Sequence, residues 1–415
     1  MKRIISFIAV ILLSRSAFAT DFKADQAWYL AGEAMTINVT APDARIAYAE
    51  LCDTQGLAAG TSISINQQKG TGIIELPANL HSGFYVLSVY TRHSAQVSNQ
   101  LVAIINPLHK SKADDIEWIA SDSCWVEANG KAKLTSRKGS DVRETEGHII
   151  RARIKNAYNG SIFNGQQIRP SLSIVGKQIH YFEGQMENDS TAVFYTYDIY
   201  GKQPLVLSAA SLTGTSLPIE MISPFATLLP KELPHLVFHY KRSEVEARSL
   251  AMQQHQKAIA PAKRELQLGD YSDETAEDGV PMDYDDTVLG TKPYLSYNLD
   301  EYRQFLTIKE VLTEYVQCAS SRKVNGVPQL FVRGDEQYNH AWPAMVLIDG
   351  MPVIDIERLL KYDARRIHHI NIYSSMYTFG NSVYNGILSF ITRSGRLTNY
   401  PTEPNTQYLV YEFPK

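Results

Sequence analysis

From residue 21 to residue 107 apolar side chains return at every second position, in short runs that stop at turn residues. Met35, Ile37 and Val39 alternate with Thr36 and Asn38, and Ile46 to Leu51, Ile63-Ser64-Ile65 and Tyr85 to Tyr90 repeat the pattern. A two-residue period puts one face of an extended chain into a core, so each run predicts a strand. Gly32-Glu33, Asp53-Thr54-Gln55-Gly56, Lys69-Gly70-Thr71-Gly72 and His81-Ser82-Gly83 supply the turns between them. Short strands at regular spacing cannot close a core alone and pack as two facing sheets, which predicts a β-sandwich over residues 20–109. A helical bundle is excluded.

The β character continues more weakly to residue 229. Gly147 to Ile154, Ala192 to Tyr197 and Leu205 to Ala209 read as strands, with turn pairs at Asn159-Gly160, Asn164-Gly165 and Tyr200-Gly201. We expect a second, immunoglobulin-like sandwich over 110–229. From Pro230 a strand (Leu236 to Tyr240) and a helix (Ser243 to Ile259, opened by a near capping box and ended by Pro261) form a connector over 230–264. Residues 265–298 read as an acidic linker, with nine Asp or Glu between Glu265 and Asp286. They lack the register of a calcium loop.

The N-terminus carries an address. Met1-Lys2-Arg3 is basic, Ile4 to Leu13 is apolar except for Ser6, and Ala17-Phe18-Ala19 fits a small-x-small cleavage rule. We expect a signal peptide over residues 1–19 and an exported protein, in the periplasm or associated with the outer membrane of a Gram-negative bacterium. No later run has the roughly 18–20 apolar residues of a membrane helix, so no direct membrane span is expected. The formal charge of −4 argues against nucleic acid as a partner, since phosphate binding needs clustered cations. Cys52, Cys124 and Cys318 are an odd set for an exported chain. A Cys52–Cys124 bond and buried free thiols are both compatible with it.

Residues 299–398 change style. Thr307-Ile308-Lys309-Glu310 is a capping box, and Ile308, Val311, Leu312, Tyr315 and Val316 line one face of the helix it opens. Gln329 to Val332 and Ala344 to Ile348 are strands, Asp349-Gly350 is a tight turn, and Asp355 to Leu360 suits a short helix. Ile367 to Ile372 alternates, and Gly386 opens a last strand, Ile387 to Thr392. Two helices on a small mixed sheet make an α+β unit, followed by a tail over 399–415. The fold expected is multi-domain and mainly β: two immunoglobulin-like β-sandwiches, then this small α+β domain.

Two stretches carry family resemblances. Tyr29-Leu30-Ala31-Gly32-Glu33, Ala49 to Asp53, Gly72-Ile73-Ile74-Glu75-Leu76-Pro77 and Ser82-Gly83-Phe84-Tyr85 look like an MG2-type macroglobulin domain. The Cys-Gly-Glu-Gln motif with which thioester macroglobulins trap proteases does not occur, so the resemblance does not imply covalent trapping. Val346 to Val353, Asp363-Ala364-Arg365-Arg366-Ile367, Ser374 to Gly380 and Gly386 to Thr392 resemble the plug domain of TonB-dependent outer-membrane receptors. The family's glycine-proline is missing before Tyr377. About twenty residues follow Gly395, too few for a receptor's barrel at roughly 9–11 residues per spanning strand. The resemblance implies a plug-like domain without its own pore.

No catalytic, cofactor or metal site is read in the sequence. Gly-x-Ser-x-Gly, His-Glu-x-x-His and a phosphate-binding glycine loop do not occur. His235 and His239 would lie about 13 Å apart on one strand face, and His368 and His369 would point to opposite faces. The function expected is therefore non-enzymatic: an accessory or scaffold of an outer-membrane transport or assembly complex, docking a barrel protein or a barrel-containing complex. The contact residues expected are Asp349, Gly350, Arg365, Arg366, Tyr377, Phe379 and Gly380. The alternative is a periplasmic or surface module that binds carbohydrate or peptide through Tyr271, Tyr284, Tyr294, Tyr297 and Tyr302.

Overall fold

Met35, Ile37 and Val39 do point one way: strand Ala34–Thr40 buries all three and leaves Asn38 exposed. This computed structural model describes residues 20–414 apart from 43, 138, 140–143, 146, 156–167, 177–178, 212–214, 267–285, 288–289, 325, 334–341, 380–381 and 398. The signal peptide, the Asn159-Gly160 and Asn164-Gly165 turns, most of the acidic linker, Tyr271, Tyr284 and Gly380 lie outside those residues. The described chain is mainly β and divided among several sheets.

Ala34–Thr40 is the middle strand of a sheet flanked by Asp21–Ala24 and Lys69–Glu75. It faces a five-stranded sheet ordered Trp28–Leu30, Ser98–Ile105, Gly83–Tyr90, Ile46–Cys52, Leu57–Ser64. Ile37, Ala47, Leu51, Tyr85 and Val102 belong to the core between them. Ile46–Cys52 and Gly83–Tyr90 are buried at every residue, so both faces of the larger sheet are covered. Leu236, Phe238 and Val245 close part of the outer face. Phe225 and Leu228 close another part, against Tyr48 and Tyr90. Glu50 faces this second patch, where it accepts bonds from Tyr90 Oη (3.0 Å), Thr227 N (3.0 Å) and Leu228 N (2.6 Å).

Pairing redraws one boundary. Ile116–Ala120 and Trp125–Asn129, expected in the second sandwich, flank His235–Tyr240 in a separate three-stranded sheet. Their Ile116 and Val126 side chains pack with Phe238 over the first sandwich, and that burial decides their partner. Helix α1 spans Arg242–Glu265 and carries Pro261 inside it instead of ending there. A proline near a helix end removes one late hydrogen bond, and Arg248 to Glu33, Gln256 to Gly32 O (3.0 Å) and Lys263 to Glu75 (3.2 Å) hold the helix to the first sandwich on both sides of it.

The second sandwich faces the sheet Gln185–Asn188, Thr191–Thr196, His148–Ile154, Ile219–Ile222 against the sheet His180–Glu183, Ile168–Ile174, Gly201–Ser211, Gln407–Phe413. Its last strand is the C-terminal one. Gly201 pairs with Phe413 through to Leu207 with Gln407, and Phe413 is fully buried in this core. The residues expected as a tail complete the sandwich.

The α+β unit is therefore inserted before that strand. Its mixed sheet runs Leu295–Asn298, Ile367–Phe379, Ser382–Thr392, Met345–Ile348, Met351–Pro352. Helices α2 (Ile308–Glu314) and α3 (Ile356–Leu360) and the hairpin Ala319–Val324/Val327–Val332 pack on it. The Thr307–Glu310 capping box forms at the start of α2. Gly386, expected to open the last strand, lies inside it at φ +88, beside a bulge between Tyr373 and Met376.

Candidate contact surface

The residues expected to meet a partner mostly meet the chain itself. Asp349 and Gly350 occupy the two-residue turn between Met345–Ile348 and Met351–Pro352, both at positive φ (46° and 86°), as a type I′ hairpin requires. Asp349 is fully buried. Its carboxylate accepts from Thr392 N (2.7 Å), Thr392 Oγ1 (2.6 Å) and Leu397 N (2.7 Å), so it is spent inside the unit. A Cβ on Gly350 would stand 3.1 Å from Ile174 O of the second sandwich. Phe379 packs edge-on to Tyr181 of that sandwich at 5.3 Å and lies parallel to Tyr377 at 6.4 Å. Nearby, Ser382 donates to Glu183 (2.8 Å), and burial lifts the Glu183 carboxyl above its ordinary range. The Asp349 turn and the Tyr377/Phe379 strand end are the mount that fixes the unit to the sandwich. Phe379 is half-buried by its aromatic packing, and the Asp349 turn is buried with three hydrogen bonds that satisfy its carboxylate. Arg365 remains exposed but is forked onto Asp363 (2.7 Å), while Arg366 is half-buried beside the same carboxylate.

His368 and His369 do not point apart. A register irregularity between Ile367 and His369 brings their Nδ1 atoms to 3.0 Å, with Asp300 3.5 Å from His368. Burial lowers both imidazoles' proton affinity. Among the described residues no group of three or more His, Cys, Asp or Glu is placed to hold a metal. Cys52, Cys124 and Cys318 are free thiols.

A second polar cluster joins the two sandwiches. Tyr48 Oη donates to Glu144 (2.6 Å), and His148 Nδ1 lies 3.1 Å from the same carboxylate. The other imidazole nitrogen lies 2.5 Å from Tyr411 Oη, and Ile149 N donates to Glu144 (2.9 Å). Burial pushes the Glu144 carboxyl up, but the His148 hydrogen bond and the Arg92 charge outweigh it and hold it below the ordinary value. A buried His–Glu pair resembles a proton-transfer dyad in composition, yet both ring nitrogens are engaged. It draws on the first sandwich (Tyr48, Arg92), the second (Glu144, His148) and the C-terminal strand (Tyr411), and clamps the three together. The sequence offers only the signal of a histidine in register with Ile150, Ala152 and Ile154.

The face of the α+β unit framed by α2, α3 and the strand Ala319–Val324 is open. A groove of about 880 Å3 runs there. Buried Leu312, Val316 and Leu360 form its floor. Lys309, Arg322, Lys323, Arg333 and Lys361 line it against a single carboxylate, Glu357, which pairs with Lys361 at 2.8 Å. Sequence reasoning missed this site, because its cations come from four separate places in the chain: α2, Ala319–Val324, the residue after Val327–Val332 and the residue after α3.

No protein-family profile matches the chain, and no curated protein does. Among solved structures, weak likenesses run to bacterial alpha-2-macroglobulins. The Salmonella protein is 8% identical over 55% of this chain and 15% of its own length, with a TM-score of 0.20. The trypsin-activated Escherichia coli protein is 8% identical over 50% of this chain and 16% of its own, also at 0.20. A putative membrane anchored protein from Corynebacterium diphtheriae is 12% identical over 54% of this chain and 59% of its own, at 0.18. At such scores these likenesses carry no argument. No described helix is long and apolar enough to cross a membrane.

Proposed function

We propose that the chain is an exported, non-catalytic protein that works at the outer membrane through protein contacts, as an accessory or scaffold of a transport or assembly complex that contains a barrel protein. In this reading the first sandwich is a macroglobulin-like domain and the α+β unit is a plug-like domain. The observation that supports it most is the mounting of the α+β unit. The Asp349-Gly350 turn and Phe379 pack against the second sandwich, and the groove lies on a different part of the unit, between α2, α3 and Ala319–Val324. A platform with one open charged face suits docking.

Excising residues 290–398 while keeping Gln407–Phe413 tests the reading, because the C-terminal strand belongs to the second sandwich. Recovery from detergent-solubilised outer membranes is expected to show a barrel-containing partner with the whole chain and none with the excised one. A partner retained after excision would move the contact to the sandwiches.

The alternative, binding of carbohydrate or peptide through tyrosines, has one observation in its favour. Tyr302 is partly exposed and packs against Tyr315 at 4.6 Å, making an aromatic platform beside Tyr297. Glycan or peptide binding lost on Tyr302→Ala would promote it.

A further inference from the structure

We propose that the groove of the α+β unit binds an extended acidic segment of the partner protein, added as a strand to the open edge of Ala319–Val324. The inference rests on the protein-contact reading above and names the chemistry of the contact. Among the described residues Ala319–Val324 pairs only with Val327–Val332. Val324 faces Val327 across the hairpin turn, so these two form its hydrogen-bonded pair. Alternation then directs the backbone N–H and C=O of Ser321 and Lys323 away from the partner strand, along the edge that borders the groove. An unpaired edge of this kind is a template for another strand.

Charge selects the strand that fits. Five cationic residues against one carboxylate surround the groove in a chain whose formal charge is −4, so the groove departs from the chain's overall sign. The cations come from both sides of the groove: Lys309 on α2 and Lys361 just after α3 on one side, and Lys323 on the edge strand on the other, with Arg322 lying over the Phe331 ring at 3.8 Å. The floor is apolar. A strand that turns acidic side chains to the walls and small apolar ones to the floor satisfies the backbone edge, the charge and the floor together. Lysines along an edge also deter unselected pairing, which restricts the occupants to acidic ones.

The test uses the whole mature chain and a short capped peptide of alternating glutamate and valine, followed by fluorescence anisotropy and amide exchange. Binding is expected at low salt, with new protection at Ser321 and Lys323. N-methylation of alternate peptide amides, which removes the strand's donors, is expected to weaken it about tenfold or more, as is Lys309→Glu combined with Lys323→Glu. Equal binding of the N-methylated peptide, or of a single-stranded oligonucleotide, would overturn strand addition in favour of plain polyanion attraction. Binding seen only after residues 270–285 are deleted would assign the groove to the chain's own acidic segment and overturn an external partner. No recovery of a partner from outer membranes, with these peptide differences intact, would count against the membrane reading alone.

Discussion

Asp349 is a buried carboxyl with a shifted titration. Burial lifts its carboxyl from the ordinary 3.8 to about 6, against three hydrogen bonds that favour the anion. The folded chain therefore keeps this proton at pH values where the unfolded chain has released it. Stability falls as pH rises from about 4 to about 6 and is level above that, by on the order of 3 kcal/mol at 1.36 kcal/mol per pKa unit. Asp349→Asn has no such ionisation, and asparagine tolerates the positive φ of the turn. Urea unfolding at pH 4 and pH 7 is expected to show the difference between wild type and variant moving in the variant's favour by that amount. A difference independent of pH would contradict the burial argument.

At the scale of elements, the hairpin turn shows what the sequence makes legible. Asp-Gly between two apolar runs announces a type I′ turn because both positions need positive φ, and the turn forms. The Thr307–Glu310 capping box is equally local and equally legible. Its role in mounting is not, since nothing near Gly350 in sequence names Ile174 and Ile179 as the surface it meets. The groove is illegible for the same reason: Lys309, Arg322 and Lys361 lie on elements that only the fold brings together. Ile116–Ala120 falls inside the range expected for the second sandwich but pairs with His235–Tyr240, because a sequence range does not show which strand a segment will meet. Gly350→Ala tests the mount. The variant combines an unfavourable φ with a Cβ 3.3 Å from Ile179, and a loss of about 1–3 kcal/mol is expected by thermal unfolding. Faster amide exchange at Met351 is expected with it. An unchanged melting temperature would show that the turn does not bear on the sandwich.

For the whole molecule, the second sandwich is completed by the C-terminal strand. Gly201–Ser211 pairs with Gln407–Phe413, and the α+β unit lies between them in sequence. Removing residues 407–415 takes Tyr411 and Phe413 from that core and Tyr411 from the Glu144–His148 clamp, and it bares a long strand edge. A core phenylalanine alone is worth about 3–5 kcal/mol, so loss of soluble protein or a lower second transition is expected in calorimetry. The first sandwich, with its own core, is expected to keep its transition. Unchanged unfolding would mean that the C-terminal strand is dispensable.

The account stands on the groove face of the α+β unit as the place where a partner is met. Photo-crosslinking in cells tests this directly, with the reactive side chain placed at exposed Thr313 beside the groove or at Tyr195, exposed on the second sandwich. The account predicts an adduct with an outer-membrane barrel protein, or a complex that contains one, from position 313 and none from position 195. Adducts from position 195 alone, or from neither, would contradict it.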